Sequence, residues 1–151
     1  MARNPRAFLD ISALFAGIWS EQGGARMILR LAQADVVQLL VSPQVLAELE
    51  RALRRRAPTE LGRLALLLER SAVEVVSTPC EDAVRKWQGL THHAGDAWIV
   101  AAACSSDADY LVTLDREHLL DNAALAQAVP FPIATPGDFL AWYRKRLKDA
   151  Q

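Results

Sequence analysis

Short apolar runs rich in β-branched residues alternate along this chain with longer segments of helical periodicity. This alternation constrains the fold more than any other feature, because strands separated by helices pair in parallel and are covered on both faces. The runs that predict strands are 7–11, 37–41, 73–77, 110–113 and 131–134. The segments that predict helices are 25–33, 43–56, 60–71, 81–90, 96–105 and 139–147. The sequence therefore predicts an α/β domain with a central, mainly parallel sheet.

The composition is that of a globular protein. The 151 residues are 52% hydrophobic and show no linker, repeat or low-complexity segment, so one domain over residues 1–151 is expected. Neither a hydrophobic leader nor an apolar run long enough to span a membrane is visible. Cys80 and Cys104 lie in unrelated contexts, which favours reduced thiols and a cytoplasmic location over a disulfide framework.

The overall charge gives no sign of a nucleic-acid partner. The net charge is −1 and the pI is near 6.3, so contacts to nucleic acid would depend on local patches or bound cations. One basic cluster lies mid-chain and a second near the end. The first consists of Arg51, Arg54, Arg55, Arg56 and Arg63, and the second of Arg144, Lys145, Arg146 and Lys148. Taken alone, each cluster is more simply explained as the solvated face of a helix.

Two acidic residues follow predicted strands. Asp10 ends the run AFLD, and Asp115 follows the run YLVTL. In open parallel α/β sheets, polar chemistry collects at the carboxyl ends of the strands. Asp10 and Asp115 are therefore expected at the same edge of the sheet, provided that their strands are neighbours.

Two further acids lie on the apolar faces of predicted helices. In the helix over 43–56, Glu48 borders the face that carries Val45 and Ala52. Asp96 begins the apolar stripe that continues through Ile99 and Val100. Both carboxylates are thus directed partly inward, where an unpaired charge is costly.

Each acid also has a simpler structural explanation. Asp10 or Ser12 can cap a helix that begins near Ala13, and Asp96 can cap its own helix. Asp115 can cap the short segment 116–120, and Glu48 can pair with an arginine at the edge of the core. The functional interpretation rests on the four acids together, since one architecture directs all of them toward one edge.

Clustered carboxylates favour a hard divalent cation. Without one, like charges at close range drive some of the acids to bind protons. Oxygen ligands with open water positions suit Mg²⁺ or Mn²⁺, which can activate water and stabilise phosphoryl transfer. His92, His93 and His118 lack the spacing of known histidine metal motifs and are interpreted as surface residues.

Four segments resemble the PIN-domain nucleases, within them the toxin branch related to VapC. The segments are FLDISAL, LLVSPQVLAELERAL, GDAWIVAAACSSDADYLVTLDREHL and PIATPGDFL. The residues that match the acids of the family are Asp10, Glu48, Asp96 and Asp115, and those that match its supporting polar positions are Ser12 and Thr113. The resemblance departs at two positions: Ile11 replaces a hydroxyl residue, and Gly95 stands where some relatives carry an extra acid.

This resemblance implies a Rossmann-like α/β/α sandwich and metal-dependent cleavage of RNA with Mg²⁺ or Mn²⁺. It also implies an antitoxin protein as a partner and a homodimer. The apolar surface of an early helical region, with Trp19, Leu29 and Leu31, is consistent with a dimer interface. Arg51, Arg54 and Arg55 are then candidates for RNA contact. The alternative is a catalytically inert PIN-like module that binds RNA or protein. An aspartate-nucleophile phosphatase is disfavoured, because Ser12 stands where that class carries a second aspartate. A phospho-acceptor receiver is disfavoured, because its paired early acids and its lysine after a late strand are not visible.

Overall fold

A five-stranded sheet forms the centre of the computed structural model, which describes residues 3–151. The strands are β1 (Arg6–Leu9), β2 (Gln38–Val41), β3 (Glu74–Val75), β4 (Tyr110–Val112) and β5 (Ile133–Ala134). Their order is β3-β2-β1-β4-β5, and every neighbouring pair is parallel. Ala7 of β1 pairs with Leu39 on one side and with Tyr110 on the other. The predicted parallel α/β fold is confirmed.

Helices flank this sheet. They are α1 (Ile11–Trp19), α2 (Gly24–Gln33), α3 (Pro43–Arg56), α4 (Leu61–Arg70), α5 (Glu81–Gln88), α6 (Ala94–Ser105), α7 (Ala123–Ala128) and α8 (Pro136–Asp149). A 3-10 turn spans Pro58–Glu60, and a π-helical turn spans Arg116–Leu120. In residues 3–151, no helix combines the length and the apolarity that crossing a bilayer requires.

The strand predictions were wrong mainly at the strand ends. Strand β1 stops at Leu9, because the Asp10 side chain caps α1 and Ile11 is already its first residue. The strand predicted over 73–77 shrinks to Glu74–Val75, which is an exposed edge strand paired only with β2. The short helix α7 was not predicted; Asn122 caps it by accepting a hydrogen bond from the Leu125 backbone.

The core lies around β1, the middle strand of the sheet, and its neighbour β4, which together are the two central strands. Phe8 and Leu9 of β1 and Leu111 of β4 are fully buried. Helix α6 carries a run of buried alanines, so it is apolar around most of its circumference, as expected of a helix inside the protein. Both central strands therefore lie inside the core where they reach the carboxyl edge of the sheet.

A buried arginine closes the end of α1. Arg26 on α2 is only 8% exposed, and its guanidinium donates to the carbonyl oxygens of Gly17 and Ile18 at 2.5 and 2.9 Å. These carbonyls belong to the last turn of α1, where the helix dipole favours positive charge. The charge of Arg26 is thus compensated by the end of a helix that starts at Asp10.

Leu29 does not contribute to the apolar surface expected for a dimer. It is 1% exposed, so its burial is complete within the monomer. Trp19 is 59% exposed and stacks on Phe15 with ring centroids 5.7 Å apart. Cys80 is exposed and Cys104 is partly buried, and neither forms a disulfide within residues 3–151.

Candidate active site

Asp10 lies where the strand order of the sheet reverses. From β1 the chain proceeds outward through β2 and β3, and it returns to the other side of β1 as β4. Such a switch point opens a crevice at the carboxyl ends of the two central strands. Because Leu9 of β1 pairs with Val112 of β4, the residues that follow these strands, Asp10 and Thr113, are brought side by side.

The Asp10 carboxylate is buried and accepts three hydrogen bonds. Its donors are the Ser12 hydroxyl at 2.7 Å, the Ala13 backbone N–H at 2.9 Å and the Thr113 hydroxyl. Burial nevertheless raises the pKa of Asp10, and the charge of Asp115 adds to that rise. The hydrogen bond from Ala13 shows that Asp10 does cap a helix, in agreement with its simpler structural explanation. The fold therefore uses one carboxylate both as a cap and as a charge at the switch point.

Ser12 and Thr113 tie Asp10 to the segment that follows β4. The Ser12 oxygen accepts from the Leu114 backbone N–H at 2.9 Å, and the Thr113 oxygen accepts from the Asp115 backbone N–H at 2.9 Å. Each hydroxyl thus donates to Asp10 and accepts from the chain that leads to Asp115. The two side chains fix the relative position of the two acids.

Asp115 caps the π-helical turn that follows it. One carboxylate oxygen accepts from the His118 backbone N–H at 3.1 Å, and the other lies 3.1 Å from Nδ1 of the His118 ring. This hydrogen bond raises the pKa of His118. The Asp115 side chain is 32% exposed, so a face of it remains open to solvent.

Asp96 has no capping role. It lies in the first turn of α6, whose cap position is held by His93. Its Oδ2 atom is buried and has no hydrogen-bond partner among residues 3–151. Burial raises the pKa of Asp96; the nearby His118 opposes this rise and Asp115 adds to it. A buried carboxylate oxygen without a donor is costly and invites a cation or water.

Glu48 on α3 is connected to the start of α6 by Gln44, which lies four residues before it on the same helix. Its side chain is half-buried and accepts from the Gln44 amide at 3.3 Å, not from an arginine. Gly95, the residue before Asp96, has no Cβ; a Cβ added there would lie 3.4 Å from the amide nitrogen of Gln44. The absence of a side chain at Gly95 thus leaves room for Gln44 between Glu48 and the start of α6.

The donor set is chemically suited to a hard divalent cation. Asp115 is close enough to Asp10 and to Asp96 to raise the pKa of both carboxyl groups. A cation would relieve this repulsion and give the unpartnered oxygen of Asp96 a ligand role. Within residues 3–151, no three histidine, cysteine, aspartate or glutamate side chains are disposed to hold a metal ion as they stand.

Sequence reasoning missed the histidines beside this cluster. The His118 ring lies against Asp115, and the His93 ring meets it edge to face with centroids 4.2 Å apart. A signal was available, because residues three apart on a helical turn lie on one face. The surface interpretation holds only in part: His92 and His93 are exposed, and His118 is half-buried.

The basic cluster lies on the outer side of α3. Arg51, Arg54 and Arg55 are exposed, and Arg54 forms an ion pair with Glu50 at 2.7 Å. This position is on the same helix as Glu48 but on its solvent side. The cluster remains a prediction as a nucleic-acid contact.

The fold and the site define a class: doubly wound α/β domains with acidic residues at the switch point of a parallel sheet. A sequence profile of the PIN domain matches residues 6–117, a span that includes all four candidate acids. The chain therefore belongs to the PIN domain family. No curated protein matches the sequence significantly.

Several solved structures share this fold. The VapBC2 complex of Rickettsia felis, bound to a DNA fragment from its promoter, matches at 18% identity and a TM-score of 0.61, over 85% of this chain and 96% of that chain. PAE2754 of Pyrobaculum aerophilum matches at 22% identity and 0.61, over 91% and 88%. VapC20 of Mycobacterium tuberculosis, a toxin that cleaves the sarcin–ricin loop, matches at 20% identity and 0.55, over 74% and 91%. At these identities the likeness concerns the fold.

Proposed function

We propose that this protein is a metal-dependent endoribonuclease and the toxin of a toxin–antitoxin pair. The observation that carries the proposal is the hydrogen-bonded link from the Asp10 carboxylate through the Thr113 hydroxyl to the Asp115 backbone N–H. The charge of Asp115 also contributes to the raised pKa of Asp96, so Asp96 lies near the same site. The acid that follows β1, the acid in the first turn of α6 and the acid that follows β4 thus share one electrostatic environment at the switch point. The unpartnered Oδ2 of Asp96 gives a cation a reason to bind there.

Asp10, Asp96 and Asp115 would hold Mg²⁺ or Mn²⁺, with Glu48 contributing directly or through water. When bound, the ion would lower the pKa of a water molecule and offset the charge of a phosphodiester. Ser12 and Thr113 would keep Asp10 in place through their hydrogen bonds. Glu48, with Gln44, would border the reacting phosphate on the α3 side.

An RNA substrate is proposed from two considerations. Family membership points to phosphodiester cleavage, and one structural relative, VapC20, is a toxin that cleaves the sarcin–ricin loop. Arg51, Arg54 and Arg55 would supply phosphate contacts that the overall charge of −1 does not.

Two structural relatives, VapBC2 and VapC20, carry toxin–antitoxin names, which supports an antitoxin partner. A homodimer would use the exposed Trp19.

The decisive experiment compares two aspartate variants in a cleavage assay on total RNA with Mn²⁺ or with EDTA. Asp96→Asn removes a charge from the proposed cluster and keeps the shape of the side chain. Asp82→Asn removes the same charge from a side chain that is 85% exposed on α5. Cleavage is expected in the wild type and in Asp82→Asn with Mn²⁺ only, and in Asp96→Asn under neither condition.

Two results would contradict the proposal. Cleavage that survives in EDTA would show that the reaction needs no divalent ion. Full cleavage by Asp96→Asn would show that this site does not carry out the reaction. A wild type that binds RNA but neither binds Mn²⁺ nor cleaves would identify the chain as an inert PIN-like binding module.

A further inference from the structure

Both oxygens of Asp115 are bound by a single residue. The backbone N–H of His118 contacts Oδ1 and the Nδ1 atom of its ring contacts Oδ2, each at 3.1 Å. The first bond is an ordinary helix cap, which any residue at position 118 except proline would supply. The second depends on the imidazole, because an ionised carboxylate only accepts hydrogen bonds and Nδ1 must therefore carry a proton. This ring bond fixes the rotation of the carboxylate about its last torsion.

The His118 ring is itself held in place. His93 meets it edge to face at 4.2 Å between centroids, and the ring is 24% exposed. His93 is the cap residue of α6, the helix that carries Asp96. The histidine pair therefore joins the segment that carries Asp115 to the segment that carries Asp96.

We infer that His118 is a positioning residue, which orients the Asp115 carboxylate for cation binding through its Nδ1 hydrogen bond. This inference rests on the proposed function, since it takes Asp115 as a ligand of the ion. A carboxylate with free rotation would have to be ordered when the ion binds, and that loss of freedom would weaken affinity. His118 restricts this rotation before the ion binds and needs no contact with the substrate.

Of the two ring nitrogens of His118, only Nδ1 lies within hydrogen-bond distance of a charged group among residues 3–151. The other ring nitrogen, Nε2, lies 4.0 Å from the Glu117 carboxylate, whose side chain is 86% exposed. This distance exceeds that of a hydrogen bond. Among residues 3–151, the ring therefore makes its only short polar contact with Asp115. Replacement of the ring should act through that contact.

Two amide variants separate this role from a structural one. In His118→Asn the side-chain amide nitrogen can occupy nearly the position of Nδ1, whereas in His118→Gln it lies one bond farther out. Both variants keep the backbone cap and a polar side chain of similar exposure. The measurement is Mn²⁺ binding by calorimetry without RNA, with an EDTA melt of each variant to establish that it is folded. Asp115→Asn serves as the reference for a lost ligand.

We expect Mn²⁺ affinity in His118→Asn to stay within a few-fold of the wild type. In His118→Gln it should fall by about 10–100-fold, the range typical of residues that orient metal ligands. Equal affinities in His118→Gln and the wild type, with affinity lost in Asp115→Asn, would overturn the inference and leave the proposed function intact. Equal losses in both amide variants would also overturn it. Wild-type affinity in Asp115→Asn would remove the ligand role of Asp115, and with it both proposals.

Discussion

Thr113, at the end of β4, donates a hydrogen bond to the carboxylate of Asp10, at the end of β1. The same hydroxyl accepts from the backbone N–H of Asp115 at 2.9 Å. One fully buried side chain therefore connects two candidate acids that are far apart in sequence. A substitution at position 113 should consequently change the positions of both acids.

Thr113→Val should destabilise the fold and weaken Mn²⁺ binding. The change keeps the shape of the side chain but leaves a buried carboxylate oxygen and a backbone N–H without their partner, at a cost of about 2 kcal/mol. Thr113→Ser, which keeps the hydroxyl and loses a methyl group, should cost about 1 kcal/mol and retain Mn²⁺ affinity. Urea denaturation and calorimetry measure the two effects. Equal Mn²⁺ affinities in the two variants would refute the link between Thr113 and the site.

Asp96→Asn should stabilise the metal-free protein. Burial and the charge of Asp115 raise the pKa of Asp96, so ionisation of this side chain opposes folding. Removal of the charge should raise the free energy of unfolding by about 1 kcal/mol, or roughly 2–4 °C in a melt with EDTA. With saturating Mn²⁺ the order should reverse, because only the wild type gains binding energy. A lower melting temperature than the wild type in EDTA would instead indicate a purely structural Asp96.

Arg26→Met should be strongly destabilising. The substitution keeps the length of the side chain but removes the donors to the Gly17 and Ile18 carbonyls at the end of α1. Hydrogen bonds from a charged group to buried acceptors are worth about 1.5–3 kcal/mol each, and we expect a loss of about 3 kcal/mol in urea denaturation. Arg30→Met, on the exposed side of the same helix, is the control and should change stability by roughly 0.5 kcal/mol or less.

The Arg6–Glu74 ion pair should make stability depend on pH. The hydrogen bonds that Arg6 donates to the Glu74 carboxylate lower the pKa of Glu74 below its ordinary value of 4.5. The ion pair therefore stabilises the fold above pH 4.5. The contribution is lost as pH falls through the lowered pKa of the folded state. The Glu74 side chain is 43% exposed, so Glu74→Gln should cost only about 0.5 kcal/mol at pH 7.

The test compares Glu74→Gln with Glu69→Gln in denaturant melts between pH 7 and pH 3. Glu69 is exposed on α4 and forms no ion pair among residues 3–151. The stability difference between the wild type and Glu74→Gln should narrow with acidification. A difference that widens toward pH 3 would contradict the sign derived for Glu74.

Replacement of Arg51, Arg54 and Arg55 by alanine should flatten the salt dependence of RNA binding. Removal of each arginine that binds a phosphate should reduce the magnitude of the negative slope of log affinity against log salt by roughly 1, because one fewer counterion is released. The matched control is the triple alanine variant at Arg144, Lys145 and Arg146, which removes three charges from α8. An unchanged slope for the α3 variant would assign that cluster to solvent.

The sequence alone determined the local structure. Period-2 and period-3.6 patterns depend on neighbouring residues only, so they predicted the alternation of strands and helices and gave the bounds of α3, Pro43–Arg56, correctly. They also selected the four acids as unusual, because each stands at a strand end or on an apolar face. Strand ends were less predictable, as Ile11 illustrates: a cap at Asp10 converted an apparent strand residue into the first residue of a helix.

The tertiary structure decided which of these residues meet. The acids at the ends of β1 and β4 are neighbours only because β4 returns beside β1, and that strand order is a non-local pairing that no local pattern encodes. The unpartnered oxygen of Asp96 and the imidazole against Asp115 depend on the same packing. Sequence periodicity specifies the face on which a side chain lies, whereas long-range burial and strand pairing specify what lies opposite it.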